Sequence, residues 1–243
     1  LGDAEKLALS ITQEFPKHLF GWTILGAVYQ VTDRKMESLI ASQKCVELAP
    51  QDSEAHFNLG ITLKALGRLD EAEASYTQAI GLKPDYAEAH SNMGSTLQEL
   101  GRLVEATECL KKAIELNPDF TKAHNNLGII FQKLGRLDES EASYIQAIAL
   151  KPNFAEAHYN LGNTLQELGK LNEAEASYRQ AILLKPDFTK AYWNLHGIEK
   201  TIQSAEYWID KCLIADANHL KAQLVKAALR FYQGDTNSFD GLM

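Results

Sequence analysis

The chain has 243 residues, 45% hydrophobic, 9% aromatic and 23% charged, the composition of an ordered protein of one large domain or two ordinary ones and not of a disordered chain. No apolar run approaches the ~18 residues that span a bilayer, and 24 Lys and Arg against 32 Asp and Glu leave a net charge of −8 with no basic block. No membrane association is therefore expected, and no nucleic-acid partner, which would need cations to neutralise its phosphates.

Proline sets the frame. Pro16, Pro50, Pro84, Pro118, Pro152 and Pro186 lie 34 residues apart, so the chain is a tandem repeat. Gly26, Gly60, Gly94, Gly128 and Gly162 form a second ladder at that spacing, and Gly67, Gly101, Gly135 and Gly169 a third. Residues 53–86 laid over 155–188 agree at 24 of 34 positions, which marks recent copies. In chain order, residues 1–18 read as the second helix of a truncated repeat, with Ala4 and Pro16 in phase. Residues 19–188 hold five full copies. Residues 189–219 form a shortened sixth: aligning Ala205-Glu206 with Ala174-Glu175 shifts the period to 31, with three residues lost at the inter-helix turn. Residues 220–233 read as the first helix of a seventh, with Gly234 at the usual turn position, and the stub from Phe239 to Met243 enters the next helix. Both ends cut through a repeat, so the expectation is one continuous domain from a longer chain, whose targeting signals these residues do not report.

Each repeat reads helix, turn, helix. In residues 87–120, Asp85 follows Pro84 and is expected to cap the first helix, with Glu88 completing a capping box. Ala89, Met93, Leu97 and Leu100 then recur every three to four residues as an apolar stripe. Gly101 ends the helix in the left-handed conformation that glycine adopts without penalty. Second helices are expected to open on a fresh cap at Asp70, Asp138 and Asn172, each followed by Glu73, Glu141 or Glu175; Val104 holds that slot here, so its cap is missing. Ala106, Leu110, Ala113 and Ile114 are the buried face, and the helix stops before Asn117-Pro118 because the residue before proline is pushed out of the helical region. One helical pair cannot bury its own apolar faces, so repeats must stack on their neighbours into an all-α solenoid.

Leu-Gly eight residues into each repeat, then Ala, Tyr, Ala and Pro in phase (in the second copy Leu59-Gly60, Ala72, Tyr76, Ala79 and Pro84) resemble the tetratricopeptide repeat over essentially the whole chain. The Ala-Glu-Ala-His-x-Asn-Leu-Gly copies are most like the arrays attached to O-linked N-acetylglucosamine transferases and other bacterial proteins of this family. One departure is position 4, where the family often has a large aromatic: Trp22 and Tyr192 keep it, and His56, His90, His124 and His158 replace it. The resemblance implies a right-handed superhelix whose first helices line a concave face.

Catalytic signatures are absent: there is no Gly-rich phosphate loop, HExxH, GxSxG or CxxC. No enzyme, cofactor or metal is expected. Histidines one repeat apart cannot share an ion, because stacked helices sit ~8–10 Å apart and zinc needs its nitrogens at ~2.0–2.1 Å; they read as packing residues. The three cysteines (Cys45, Cys109, Cys212) are odd in number and widely spaced. They make neither a disulfide framework nor a zinc site, and they favour a reducing, cytoplasmic compartment. Cys45 and Cys212 stand where other copies have Ala79, Ala113, Ala147 and Ala181, as small core residues.

Asn58, Asn92, Asn126, Asn160 and Asn194 stand at position 6 of successive first helices, where helix propensity does not recommend asparagine. An amide offers a donor and an acceptor on one plane and so matches a peptide main chain. The resemblance strengthens this, since the transferase-linked arrays grip extended segments with such a ladder. That copies share an asparagine because they are copies is the competing reading. Neighbouring positions vary: position 5 reads Phe57, Ser91, Asn125, Tyr159, Trp193; position 2 reads Glu54, Glu88, Lys122, Glu156, Lys190; position 9 reads Ile61, Ser95, Ile129, Asn163, Gly197. Aromatics there suit apolar guest side chains. Lys122, Lys133, Lys190, Lys200 and Lys221 favour an acidic guest towards the C-terminal half, unless those charges are simply solvated. A chaperone-tail clamp is not expected: its best window, Tyr159, Asn163, Asn194, Lys221 and Val225, lacks the first lysine and the arginine. The expected function is a non-catalytic module that binds an extended peptide or protein segment. The alternatives are a scaffold that self-associates through its repeat ends, where Tyr192, Trp193, Tyr207 and Trp208 cluster, and a substrate-docking segment of a bacterial transferase.

Overall fold

The computed structural model describes residues 2–198 and 201–232; Lys200, Gln233, Gly234 and the stub at 239–243 lie outside them. Among the described residues there are fourteen helices and no strand, and the chain divides into two compact units, Leu1–Ile130 and Phe131–Met243. The first holds α1 (Gly2–Glu14), α2 (Leu19–Val31), α3 (Lys35–Leu48), α4 (Ser53–Ala65), α5 (Leu69–Leu82), α6 (Ala87–Glu99) and α7 (Leu103–Leu116). Helix α8 (Thr121–Lys133) begins in that unit and ends in the second, which continues with α9 (Leu137–Leu150), α10 (Ala155–Glu167), α11 (Leu171–Leu184), α12 (Thr189–Ile198), α13 (Ile202–Ala215) and α14 (Leu220–Tyr232).

The fold is an all-α solenoid of helix–turn–helix repeats. Helices pair within a repeat (α2 with α3, α4 with α5, α6 with α7, α10 with α11, α12 with α13), and the second helices α1, α3, α5, α9, α11 and α13 also pack on the first helix of the next repeat. In the first unit α2 also meets α4, and α4 meets α6. In that unit α2, α4 and α6 therefore lie side by side.

Small residues permit the close packing of paired helices. Ala72, Ala106 and Ala174, and Ala79, Ala113, Ala147 and Ala181, are wholly buried at two repeated positions of the second helices. Tyr76, Tyr144 and Tyr178 are buried as completely, and the rings of Tyr76 and Tyr178 lie over Gly60 and Gly162 of the partner helix. Gly67, Gly101, Gly135 and Gly169 turn each helix pair with φ between +71° and +81°. Asp33 does the same work in the first full copy at φ +57°, aspartate being among the few side chains that tolerate this region.

The helix starts differ from the expected caps. Each second helix begins one residue before Asp70, Asp138 or Asn172, on an N-cap that is Arg68, Arg136 or Lys170 with no side-chain cap bond. The glycine turn dictates this: the Arg68 N–H donates back to Leu63 O, and Ala72 N–H then makes the first helical bond to Arg68 O. The acidic residues fall inside the first turn, where they favour the positive end of the helix dipole. Val104 consequently costs no cap, because Arg102 holds the same N-cap place. First helices begin three residues after proline, so the N-cap lies two residues after it. Asp52 is there in the second copy and accepts the Glu54 N–H at 3.0 Å, whereas Tyr86 and Phe154 are there in others. Asp85 lies one residue too early to cap. In the shortened copy α13 has a side-chain cap, Thr201 accepting the Ser204 N–H.

Candidate functional site

The first-helix side of each unit is built from position 4 upward. His56, His90, His124 and His158 hold Nε2 2.9–3.0 Å from the carbonyl oxygens of Pro50, Pro84, Pro118 and Pro152. Trp22 donates Nε1–H to Pro16 O at 2.9 Å, and Tyr192 donates its hydroxyl to Pro186 O at 3.1 Å. Position 4 therefore needs a ring carrying a donor, and all three residue types supply one. Each ring latches its helix to the loop before it, so the histidines are structural. Among the described residues no group of three or more His, Cys, Asp or Glu is placed to hold a metal ion.

Position 5 turns inward. Phe57 packs against Tyr76 and Tyr86, with ring centroids at 6.0 and 4.8 Å, and Tyr159 packs the same way against Tyr178 and Phe188, at 5.8 and 4.8 Å. Lys83 and Lys185 cover the outer rings of these triads. Asn125 at this position is buried. Trp193 lies against His196 and His219 at 5.2 and 5.3 Å, and both it and Trp208 pack on the hydrophobic cluster that holds Tyr192; Trp208 also meets Tyr192 and Tyr207. Burial pushes the His196 imidazole below its usual range.

The asparagines at position 6 are half-buried on the first helices, and their surroundings differ. Asn194 donates to Asn163 Oδ1 at 2.7 Å, to the Tyr178 hydroxyl at 3.3 Å and to the Tyr159 hydroxyl at 3.4 Å. Asn92 approaches the buried Tyr76 hydroxyl. Asn194 therefore serves the preceding repeat's tyrosine. Asn58 instead lines two clefts of the first unit, of about 180 and 320 Å³, together with Glu54, Thr23 and Cys45. Lys122, Lys133, Lys190 and Lys221 are exposed and make no ion pair with a described residue, whereas Glu156 meets Lys185 at 3.7 Å.

In the second unit a cleft of about 420 Å³ is lined by Gln132, Asn163, Gln166, Glu167 and Asn194. Gln132 donates to Glu167 Oε1 at 2.6 Å, and the Tyr178 hydroxyl lies 2.9 Å from Asn163 Oδ1 and 2.8 Å from Gln166 Oε1. Sequence reasoning named Asn163 and Asn194 but missed Gln132, Gln166 and Glu167. The signal was present at position 12, which reads Gln30, Lys64, Gln98, Gln132 and Gln166. The cysteines offer no nucleophile: burial raises the Cys45 and Cys109 thiols and pushes Cys212 up to about 11.

Family models match along most of the repeated region. The model described as TPR repeat matches residues 62–101, 97–135 and 130–169, and two described as tetratricopeptide repeat match 155–188 and 41–74. No curated protein matches the sequence. Among solved structures, the APC/C hetero-tetramer Cut9-Hcn1 superposes at TM-score 0.79 and 18% identity over 94% of this chain and 46% of that one; the chain spans under half its length. The pilF protein of Pseudomonas aeruginosa superposes at 0.76 and 17% identity, over 86% of this chain and 97% of that one. YrrB, described as a TPR protein with an unusual peptide-binding site, superposes at 0.62 and 23% identity, over 76% and 97%. At these identities the likeness is one of fold. Among the described residues no helix is long and apolar enough to cross a membrane.

Proposed function

Because the chain belongs to the tetratricopeptide repeat family, we propose that it is a protein–protein interaction module whose first-helix faces bind an extended peptide or protein segment. The observation that carries this reading is the contrast between positions 5 and 6 and the clefts beside them. The aromatics are spent on internal packing, while open clefts in each unit are lined by asparagine with glutamate or glutamine. Amides at the spacing of one per repeat suit main-chain N–H and C=O groups, which every peptide has. YrrB, of similar fold, has a peptide-binding site, which agrees with this use of the scaffold.

Asn194 donates to the tyrosine of the preceding repeat and Asn92 lies beside another, so Asn58 and Asn126 are the rungs to alter in the first unit. A hydrogen bond contributes ~0.5–1.5 kcal/mol net and ordering a flexible peptide costs ~2–5 kcal/mol, which puts the dissociation constant on the order of micromolar. The test is selection from a random peptide library on the parent chain and on Asn58→Ala/Asn126→Ala, once circular dichroism shows both equally helical. Peptides that bind the parent and leave the variant support the grip. Equal binding to both assigns the asparagines to packing alone.

A further inference from the structure

Position 12 makes the same reach in both units but ends in different chemistry. In the first unit Lys64 extends from the end of α4 to α6, with Nζ 2.5 Å from Ser95 Oγ and 3.1 Å from Glu99 Oε1. An ammonium there satisfies a carboxylate at position 13 and a side-chain oxygen at position 9. In the second unit the corresponding residues are Gln132, Asn163 and Glu167. Gln132 still reaches Glu167, at 2.6 Å, but it is neutral.

The missing charge is not replaced from within the chain. Among the described residues of the second unit, Lys170 is drawn to Glu141 at 2.7 Å, Arg179 to Glu175 at 2.6 Å and Lys185 to Glu156 at 3.7 Å. No described cation pairs with Glu167. Asn163 Oδ1 accepts one Asn194 amide N–H at 2.7 Å, and the single Tyr178 hydroxyl proton serves either Asn163 Oδ1 or Gln166 Oε1, at 2.9 and 2.8 Å; when it turns to Gln166, a lone pair of Asn163 Oδ1 is open to a further donor. The cleft is open, holds about 420 Å³ and is lined by polar residues alone.

We infer that this cleft receives a lysine or arginine side chain of the partner's segment, its charged head held by the Glu167 carboxylate and Asn163 Oδ1 as Lys64 is held by Glu99 and Ser95. A cation donating to a carboxylate and an amide oxygen forms charge-assisted hydrogen bonds, the stronger kind. The inference rests on the proposed peptide-binding reading and adds the chemistry of one guest residue. That residue is basic, although the exposed lysines elsewhere on the unit favour acidic neighbours in the guest.

The test uses peptides selected from the random library on the parent chain. A basic residue is expected at a fixed place in them, and replacing it by uncharged norleucine is expected to weaken binding about five- to tenfold. Gln132→Lys, which supplies the cation from within the chain as Lys64 does, should erase that preference and weaken the basic peptide by a similar factor. Glu167→Gln, which conserves volume, should do the same and keeps the test valid if the lysine variant folds poorly by circular dichroism. Selected peptides without a fixed basic residue, or a norleucine peptide that binds as well as its parent, overturn the inference and leave the groove reading standing. A library that yields no binder at all overturns both.

Discussion

At Gly60 an added Cβ would lie 2.6–2.9 Å from three ring carbons of Tyr76, and at Gly162 2.5–3.0 Å from those of Tyr178. At Gly26, the same rung of the ladder, the nearest atom would be Ser42 Oγ at 3.6 Å. The residue facing the glycine decides its cost. Gly60→Ala should therefore destabilise by about 1–3 kcal/mol through overpacking, whereas Gly26→Ala should stabilise by about 0.5–1 kcal/mol, because alanine in a helix loses less backbone entropy. Denaturant unfolding of the two variants checks this, and shifts of the same sign would refute it. The glycine ladder was plain in the sequence. Its unequal tolerance was not, since it depends on pairing position 8 with position 24 across two helices, where Ser42 replaces a tyrosine and leaves the cleft of about 180 Å³ beside Gly26. Position 4 teaches the same lesson: histidine looked like a departure from an aromatic, but the shared requirement is an N–H or O–H aimed at a prolyl carbonyl.

The second helices carry the next level of organisation. The arginines at N-caps hold a carboxylate three residues on: Arg34 holds Glu37, Arg68 holds Glu71, Arg102 holds Glu105 and Arg136 holds Glu139. Arg34, Arg102 and Lys170 also reach back to Glu5, Glu73 and Glu141 on the preceding second helix, at 2.5–2.7 Å. Hydrogen bonds from Arg68 and Arg102 hold Glu71 and Glu105 below the usual carboxylate range. The folded chain therefore gives up these protons more readily than the unfolded one, whose glutamates titrate near ~4.3. The stabilisation is fully present above about pH 5 and is lost as pH falls through the depressed folded values. Glu71→Gln/Glu105→Gln should accordingly lose less stability than the parent between about pH 5 and pH 3, with a small difference that salt reduces further because the pairs are exposed. Parallel acid-unfolding curves would refute the assignment. Helix existence and turn position were legible here from glycine and proline spacing. The caps were not: Asp70 and Asp138 look like N-caps in a one-dimensional pattern, but the 34-residue geometry fixes the start one residue earlier. At α6 an aromatic takes the cap place and packs backward, Tyr86 on Phe57, and Phe188 packs in the same way on Tyr159.

For the molecule as a whole, the period was the most legible property and the binding chemistry the least. Six prolines in register sufficed to imply a stack with no central core. The cation-deficient cleft appears only when Gln132 and Glu167, 35 residues apart, are brought into contact. Both facts follow from one feature: a helix touches its own partner and the adjacent repeat and little else. In such a chain stability is a sum of repeat terms and nearest-neighbour interfaces, so damage should stay local. Gly60→Ala strains the α4–α5 pair, which packs on α3 and α6. Hydrogen exchange read by mass spectrometry should therefore show faster exchange across α3 to α6, with protection in α10 to α13 unchanged, under conditions where the variant remains folded. A single cooperative core would instead lower protection everywhere by the same factor, because every exchange event would pass through global unfolding. Uniform loss would mean that the interfaces between repeats couple more strongly than the repeats are stable, so that the copies, separable in sequence, fold as one body.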